Sequence, residues 1–143
     1  MKNKRVKNAR EFIFKNCQTI SNHIANIPET VGMIDYSLFS LMKDNATFIN
    51  TGRGAQIVEA DLIRAMKEKP DRTAVLDLTL PEPVENGSEF YSLKNVFLTP
   101  HIAGSSGKEC ERLGDYAAGE AMKYLKNQAL SYEVTLKMLE TMA

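Results

Sequence analysis

The 143-residue sequence is short of several things, and each shortage removes a class of explanation. It has no surplus of either charge: eighteen basic and eighteen acidic residues cancel, so no global field favours nucleic acid or an anionic membrane over a neutral small molecule. It has no apolar run near the roughly 18 residues that a membrane span requires. The basic stretch Met1–Arg10 is followed only by Phe12, Ile13 and Phe14 before Lys15, too little for the apolar region of a secretory signal. A cytoplasmic location is therefore expected. The two cysteines, Cys17 and Cys110, stand far apart with no clustered histidines, which argues against a disulfide framework or a metal motif and for thiols in a reducing compartment. Phosphate-cradling glycine spacings are missing too. Gly52-x-Gly54 has Ile57 at the sixth position, and Gly104 with Gly107-Lys108 lacks the P-loop interval.

What is present is an alternation of short apolar runs, rich in branched and aromatic residues, with segments of helical period. That pattern predicts crossover units and a parallel sheet, an α/β fold. The strands are expected at Cys17–Ile24, Ala46–Asn50, Thr73–Leu78 and Val96–Thr99. Residues 5–15 read as a polar helix. Asp35 is expected to cap a short helix burying Leu38, Leu41 and Met42. Glu59–Lys67 places Leu62, Ile63 and Met66 on one helical face, and Pro70 stops it. Between the last two strands, Pro81-Glu82-Pro83 and Asn86-Gly87 mark a loop. The longest helix is expected to start at a capping box, Ser106-Gly107-Lys108-Glu109, and to bury a stripe of Cys110, Leu113, Ala117, Ala121 and Leu125. A tail with Val134, Leu136, Met138 and Leu139 follows; its apolar residues imply that it packs on something.

Three successive strands end in polar groups that a packed core does not require: Asn50-Thr51-Gly52-Arg53, then Asp77 with Glu82 beyond it, then Thr99-Pro100-His101. In an open parallel sheet, side chains beyond the carboxyl ends of the strands line the ligand crevice, so these groups are expected to converge. An arginine offers a planar fork to a carboxylate, a histidine can exchange a proton with a carbonyl or hydroxyl oxygen, and a carboxylate beside that histidine fixes its tautomer. Each residue also has a plainer reading. Arg53 could be a solvated turn residue, Glu82 a loop charge, and His101 a ring hydrogen-bonded beneath the last long helix.

Three strings resemble successive signatures of the D-isomer-specific 2-hydroxyacid dehydrogenases, a family that includes phosphoglycerate, glycerate and D-lactate dehydrogenases. They are Phe48-Ile49-Asn50-Thr51-Gly52-Arg53-Gly54-Ala55, then Val75-Leu76-Asp77-Leu78 leading to Pro81-Glu82-Pro83, then Asn95-Val96-Phe97-Leu98-Thr99-Pro100-His101-Ile102-Ala103-Gly104. Upstream, Ser21-Asn22-His23-Ile24 and Pro28-Glu29-Thr30 resemble the strand and loop that approach the cofactor from the other side. The resemblance runs from about Glu11 to about Gln128 and implies the second half of a Rossmann-type dinucleotide-binding domain, a partial parallel sheet with flanking helices. It implies that Arg53 binds the carboxylate and carbonyl oxygen of a 2-oxo acid, that Glu82 pairs with His101, and that His101 is the acid/base while hydride passes between nicotinamide and substrate. Asp77, Thr51 and Gly52 match positions at the nicotinamide end of NAD, with NADP left open. His23, Ile24, Ala25, Thr30 and Gly104 match positions along the cofactor. Many members have proline where Ala25 stands, and position 52 is often alanine.

The resemblance also defines what is lacking: a strand, a G-x-G-x-x-G turn whose amides meet the pyrophosphate, and an acidic residue for the ribose. The expectation is a partial NAD-binding domain over residues 1–128 with a C-terminal tail over 129–143, truncated and inactive by itself. The strand Cys17–Ile24 would then be an open sheet edge, so self-association or pairing with a separate N-terminal half is expected. The partners expected are thus a small 2-oxo or 2-hydroxy acid and a second protein copy or half, with no nucleic acid and no membrane. The competing expectation is a noncatalytic remnant or dimerising module.

Overall fold

The computed structural model describes residues 2–139, with side chains from Ala9 onward; the last four residues of the expected tail lie outside it. The chain divides after His101 into two compact units. The first opens with α1 (Lys2–Asn16), which is followed by β1 (Thr19–Asn22), α2 (Tyr36–Phe39), β2 (Thr47–Asn50), α3 (Glu59–Glu68), β3 (Thr73–Leu76) and β4 (Val96–Leu98). The strands form one four-stranded sheet in the order β1-β2-β3-β4, every pair parallel. All four expected strands form. Each is a little shorter than its apolar run: α1 hands over to β1 through Cys17 N donating to Ile13 O (2.9 Å), β2 starts at Thr47, and β3 and β4 stop at Leu76 and Leu98.

The register explains the core. Ile20, Phe48, Ala74 and Val96 stand side by side across the sheet, as do Asn22, Asn50 and Leu76, and all seven are buried. α1, α2 and α3 contribute to the core on this face. Phe14, Phe39 and Phe48 meet edge-on or tilted with ring centroids 5.2 to 6.1 Å apart, and each ring contributes roughly 2–3 kcal/mol by leaving water. Leu62, Ala65 and Met66 of α3 complete the cluster. On the opposite face Ile49 and Val75 are only half-buried and Phe97 is 55% exposed, so this parallel sheet is covered on one side. Arg72 is buried without a carboxylate. Its guanidinium donates to the carbonyls of Phe39 (3.0 Å), Lys43 (3.2 Å), Ser40 (3.4 Å) and Met42, at the end of α2 and in the turn that follows it.

Several local expectations need correction. Asp35 stands at the N-cap of α2 but its carboxylate does not cap; it accepts from the Ser37 hydroxyl (2.5 Å), and Asp61 of α3 instead accepts from Tyr36 N (3.0 Å). Leu41 and Met42 fall in the turn after α2 rather than on it.

The second unit contains α4 (Lys108–Leu125) and the short α5 (Leu136–Leu139). The capping box is not formed. The N-cap is Gly107, at φ 54°, and the Glu109 carboxylate accepts from Arg112 Nη1 (2.8 Å) instead of reaching back. The stripe of Cys110, Leu113, Ala117, Ala121 and Leu125 is exposed, not buried. Periodicity reports an amphipathic helix but does not supply the surface it covers. The tail starts by folding onto α4: Glu120 accepts from the amides of Ser131 (2.8 Å) and Tyr132 (3.0 Å), and the Tyr132 and Tyr116 rings meet at 5.6 Å. These amides and Lys123 hold the Glu120 carboxyl below its ordinary value, the lysine foremost. Beyond it, Val134, Leu136, Met138 and Leu139 are exposed. No helix among the described residues is long and apolar enough to cross a membrane.

Candidate active site

Because all strands run the same way in sequential order, the residues that follow β2, β3 and β4 emerge on one rim. There the structure pairs Glu82 with His101: Nδ1 donates to Glu82 Oε1 at 2.7 Å, with both side chains nearly half-exposed. His101 holds φ at 52°, a left-handed conformation that costs a non-glycine residue about 1–2 kcal/mol. Its backbone amide is anchored to Thr99 O (3.0 Å) and Asp77 O (3.2 Å). Such an outlier persists only where surrounding contacts fix it, and it turns the ring toward the Glu82 loop instead of letting β4 run on. Asp77 is buried at the end of β3 and accepts from the Thr99 hydroxyl at 2.5 Å. Asp77, Glu82 and His101 line a cleft of about 680 Å³, with Leu76, Pro83, Val84, Leu98 and Tyr91 as its apolar and aromatic wall.

Arg53 emerges at the end of the neighbouring strand, exposed, with Nη1 donating to Gly52 O (2.9 Å). Its turn is held by three buried amides: Asn50, which ends β2, and Asn22 and Gln56, which sequence reasoning did not assign to the site. Asn50, fully buried, uses all four of its hydrogen-bonding capacities: Oδ1 accepts from Asn22 Nδ2 (2.9 Å) and Gly52 N (3.2 Å), and Nδ2 donates to Leu78 O (3.0 Å) and Arg53 O (3.4 Å). Gln56, also fully buried, accepts from Asn22 Nδ2 (2.5 Å) and Arg53 N (3.4 Å) and donates to Ile24 O (2.5 Å). Glycine at position 52 follows from this network. A Cβ there would lie 2.8 Å from Asn22 Nδ2 and 2.9 Å from Gln56 Oε1, where a chain with smaller groups at 22 and 56 would accept alanine.

His23 stands at the end of β1, exposed, with Nε2 2.7 Å from Ser21 Oγ and Nδ1 3.4 Å from Thr51 Oγ1, so it joins Thr51 on the rim. Ile24, Ala25 and Thr30 lie on the loop after β1. The buried Thr30 hydroxyl donates to Ala25 O and Ile27 O (both 2.8 Å), which fixes the loop from within. Gly104 belongs to the second unit, where it is exposed. Among the described residues no group of three or more His, Cys, Asp or Glu is placed to hold a metal. For Asn22 the signal available was its place two residues from Ile20, on the same strand face, but that this face is the buried one needs the register of β1 against β2.

Comparison with known proteins adds to this geometry. Residues 2–103 match the model of the D-isomer specific 2-hydroxyacid dehydrogenase, NAD binding domain. The chain is 31% identical over 121 residues to a D-3-phosphoglycerate dehydrogenase of Haemophilus influenzae, covering 82% of this chain and 30% of that protein. It is 36% identical over 118 residues to a glyoxylate reductase of Thermococcus litoralis, covering 82% and 35%. Among solved structures, an NADPH-dependent glyoxylate/hydroxypyruvate reductase of Sinorhizobium meliloti in complex with NADP and sulfate superimposes with a TM-score of 0.76 at 26% identity, covering 89% of this chain and 41% of that one. The chain thus spans about a third of the length of the curated relatives it matches.

Proposed function

Since this chain belongs to the D-isomer specific 2-hydroxyacid dehydrogenases, as part of their NAD-binding domain, we propose that it carries the acid/base and carboxylate-binding groups for interconverting a 2-hydroxy acid and a 2-oxo acid. The observation that carries the reading is the 2.7 Å pair of Glu82 and His101, set at the same sheet rim as the Arg53 turn. With Nδ1 committed to Glu82, Nε2 is the ring nitrogen left to meet a substrate oxygen. In the reducing direction protonated His101 gives its Nε2 proton to that oxygen; in the oxidising direction the neutral ring takes it back. Arg53 has four further N–H groups beyond the one on Gly52 O, enough for a bidentate grip on a carboxylate. The cleft suits a nicotinamide end, since Asp77 and Thr99 offer polar edges beside an apolar wall of Leu76, Val84 and Leu98. When bound there, the nicotinamide supplies or accepts the hydride. Thr51, Gly52, His23, Ile24, Ala25 and Thr30 would follow the rest of the dinucleotide along the rim.

The test is turnover by a protein in which this chain is joined to the remainder of a family member, both the glycine-rich half of the dinucleotide-binding domain and the substrate domain. NADH oxidation with a panel of 2-oxo acids is expected, and Arg53→Ala or His101→Ala is expected to lower kcat/KM by about a hundredfold or more. Unchanged kcat/KM in both variants would remove the assignment. A second reading rests on β1, which among the described residues pairs on one side only and has an outward face of Thr19 and Ser21. Its free edge offers backbone groups to another strand, from a second copy or a separate N-terminal half. A monomer at all concentrations by light scattering would count against pairing between copies.

A further inference from the structure

The turn that carries Arg53 and the loop that carries Glu82 follow different strands, yet three contacts lock one to the other. Asn50 Nδ2 donates to Leu78 O at 3.0 Å. Gly54 lies so close to the next peptide that a Cβ would come within 2.0 Å of the Thr79 carbonyl carbon and 2.5 Å of Leu80 N. Glu59 Oε1 accepts from Leu80 N at 2.8 Å, two residues before Glu82. The first two contacts use a buried amide and bare backbone. The third uses a half-buried carboxylate whose own helix has no need of it in that direction. Glu59 is the first residue of α3, where a negative charge is favoured whichever way it points, but it turns to an amide 21 residues away. Burial pushes its carboxyl above the ordinary value, with the Leu80 amide pulling the other way, so the group is held there against a desolvation cost.

We propose that Glu59 is a positioning residue: by holding Leu80 it sets where the Pro81-Glu82-Pro83 segment lies, and so brings Glu82 to His101. The functional meaning rests on reading Glu82 and His101 as the working pair, but the contact can be tested without turnover. Glu59→Asp keeps the charge at the start of α3 and draws the oxygen back by one methylene. Glu59→Gln keeps an acceptor oxygen of the same reach.

In the isotope-labelled full chain, two signals report on the clamp: hydrogen exchange at the Leu80 amide, and the ring-nitrogen shifts of His101, which show whether Nδ1 holds the proton that faces Glu82. In Glu59→Asp, Leu80 exchange is expected to rise about tenfold and the Nδ1–H preference of His101 to fade. Glu59→Gln is expected to keep both signals as in the unsubstituted chain. Native signals in Glu59→Asp, or loss of both in Glu59→Gln, would overturn the proposal. So would an unprotected Leu80 amide in the unsubstituted chain, a result that needs no variant to fold. If these signals behave as expected while Arg53 and His101 variants keep full turnover, the clamp stands and the catalytic reading falls.

Discussion

The two sides of the sheet rim are built differently. Around Arg53 the backbone is pinned by side chains that water does not reach: Asn22 is 4% exposed, and Asn50 and Gln56 are 0% exposed. Around His101 the chemistry-bearing side chains are nearly half-exposed, and the segment between β3 and β4 has little regular structure beyond one short 3₁₀ turn at Glu89–Tyr91. The difference separates two tasks. A buried, fully satisfied amide network fixes backbone geometry, because any displacement would strand polar groups in a dry interior. An exposed ion pair contributes little to stability and stays available to a ligand.

Substitutions can break or sharpen this contrast, read as urea-unfolding free energies on the chain. The largest effect is expected from Gly54→Ala, which sets a new Cβ against the Thr79 backbone and should cost about 3 kcal/mol or more. Gln56→Leu should come next, at roughly 2–3 kcal/mol, because Arg53 N, Ile24 O and one of the two N–H groups of Asn22 Nδ2 lose their bonds to it, while the other Asn22 N–H stays on Asn50 Oδ1. Gly52→Ala should cost about 2 kcal/mol, since the atoms it meets, Asn22 Nδ2 and Gln56 Oε1, belong to the buried amide network and move only by loosening its hydrogen bonds. The smallest effect should have the opposite sign: His101→Gly removes the left-handed penalty and should stabilise by roughly 0.5 kcal/mol while removing the proposed acid/base group. If His101→Gly destabilised the chain more than Gln56→Leu, the division between a pinned and an open side would be wrong.

Much of the fold was legible because each strand is an apolar run bounded by turn residues, and a run such as Ala74–Leu76 has few other places to go. The rim was legible for a related reason: Asn50, Asp77 and His101 come where the apolar runs stop, and parallel strands stop on the same side. Other features were not legible. Asp35 looks like a helix cap, but Ser37 claims its carboxylate and Asp61 does the capping from 25 residues away. The stripe on α4 has the right spacing to be buried, yet spacing says nothing about whether a covering surface exists. Glu59 looks like an ordinary first-turn acid until the fold brings Leu80 to it.

By itself, the sequence determined the order of strands and helices, the parallel sheet, and which residues sit at the strand ends, since these depend on local periodicity and on where apolar runs break. The tertiary structure decided which polar groups became partners: Asn22 with Asn50 and Gln56, and Glu59 with Leu80, whereas the pairing of Glu82 with His101 was expected from the family resemblance. The reason is physical. Hydrogen-bond partners are chosen by angstrom-scale distance between segments far apart in the chain, and that distance is set only once the strands have taken their register and the core has closed.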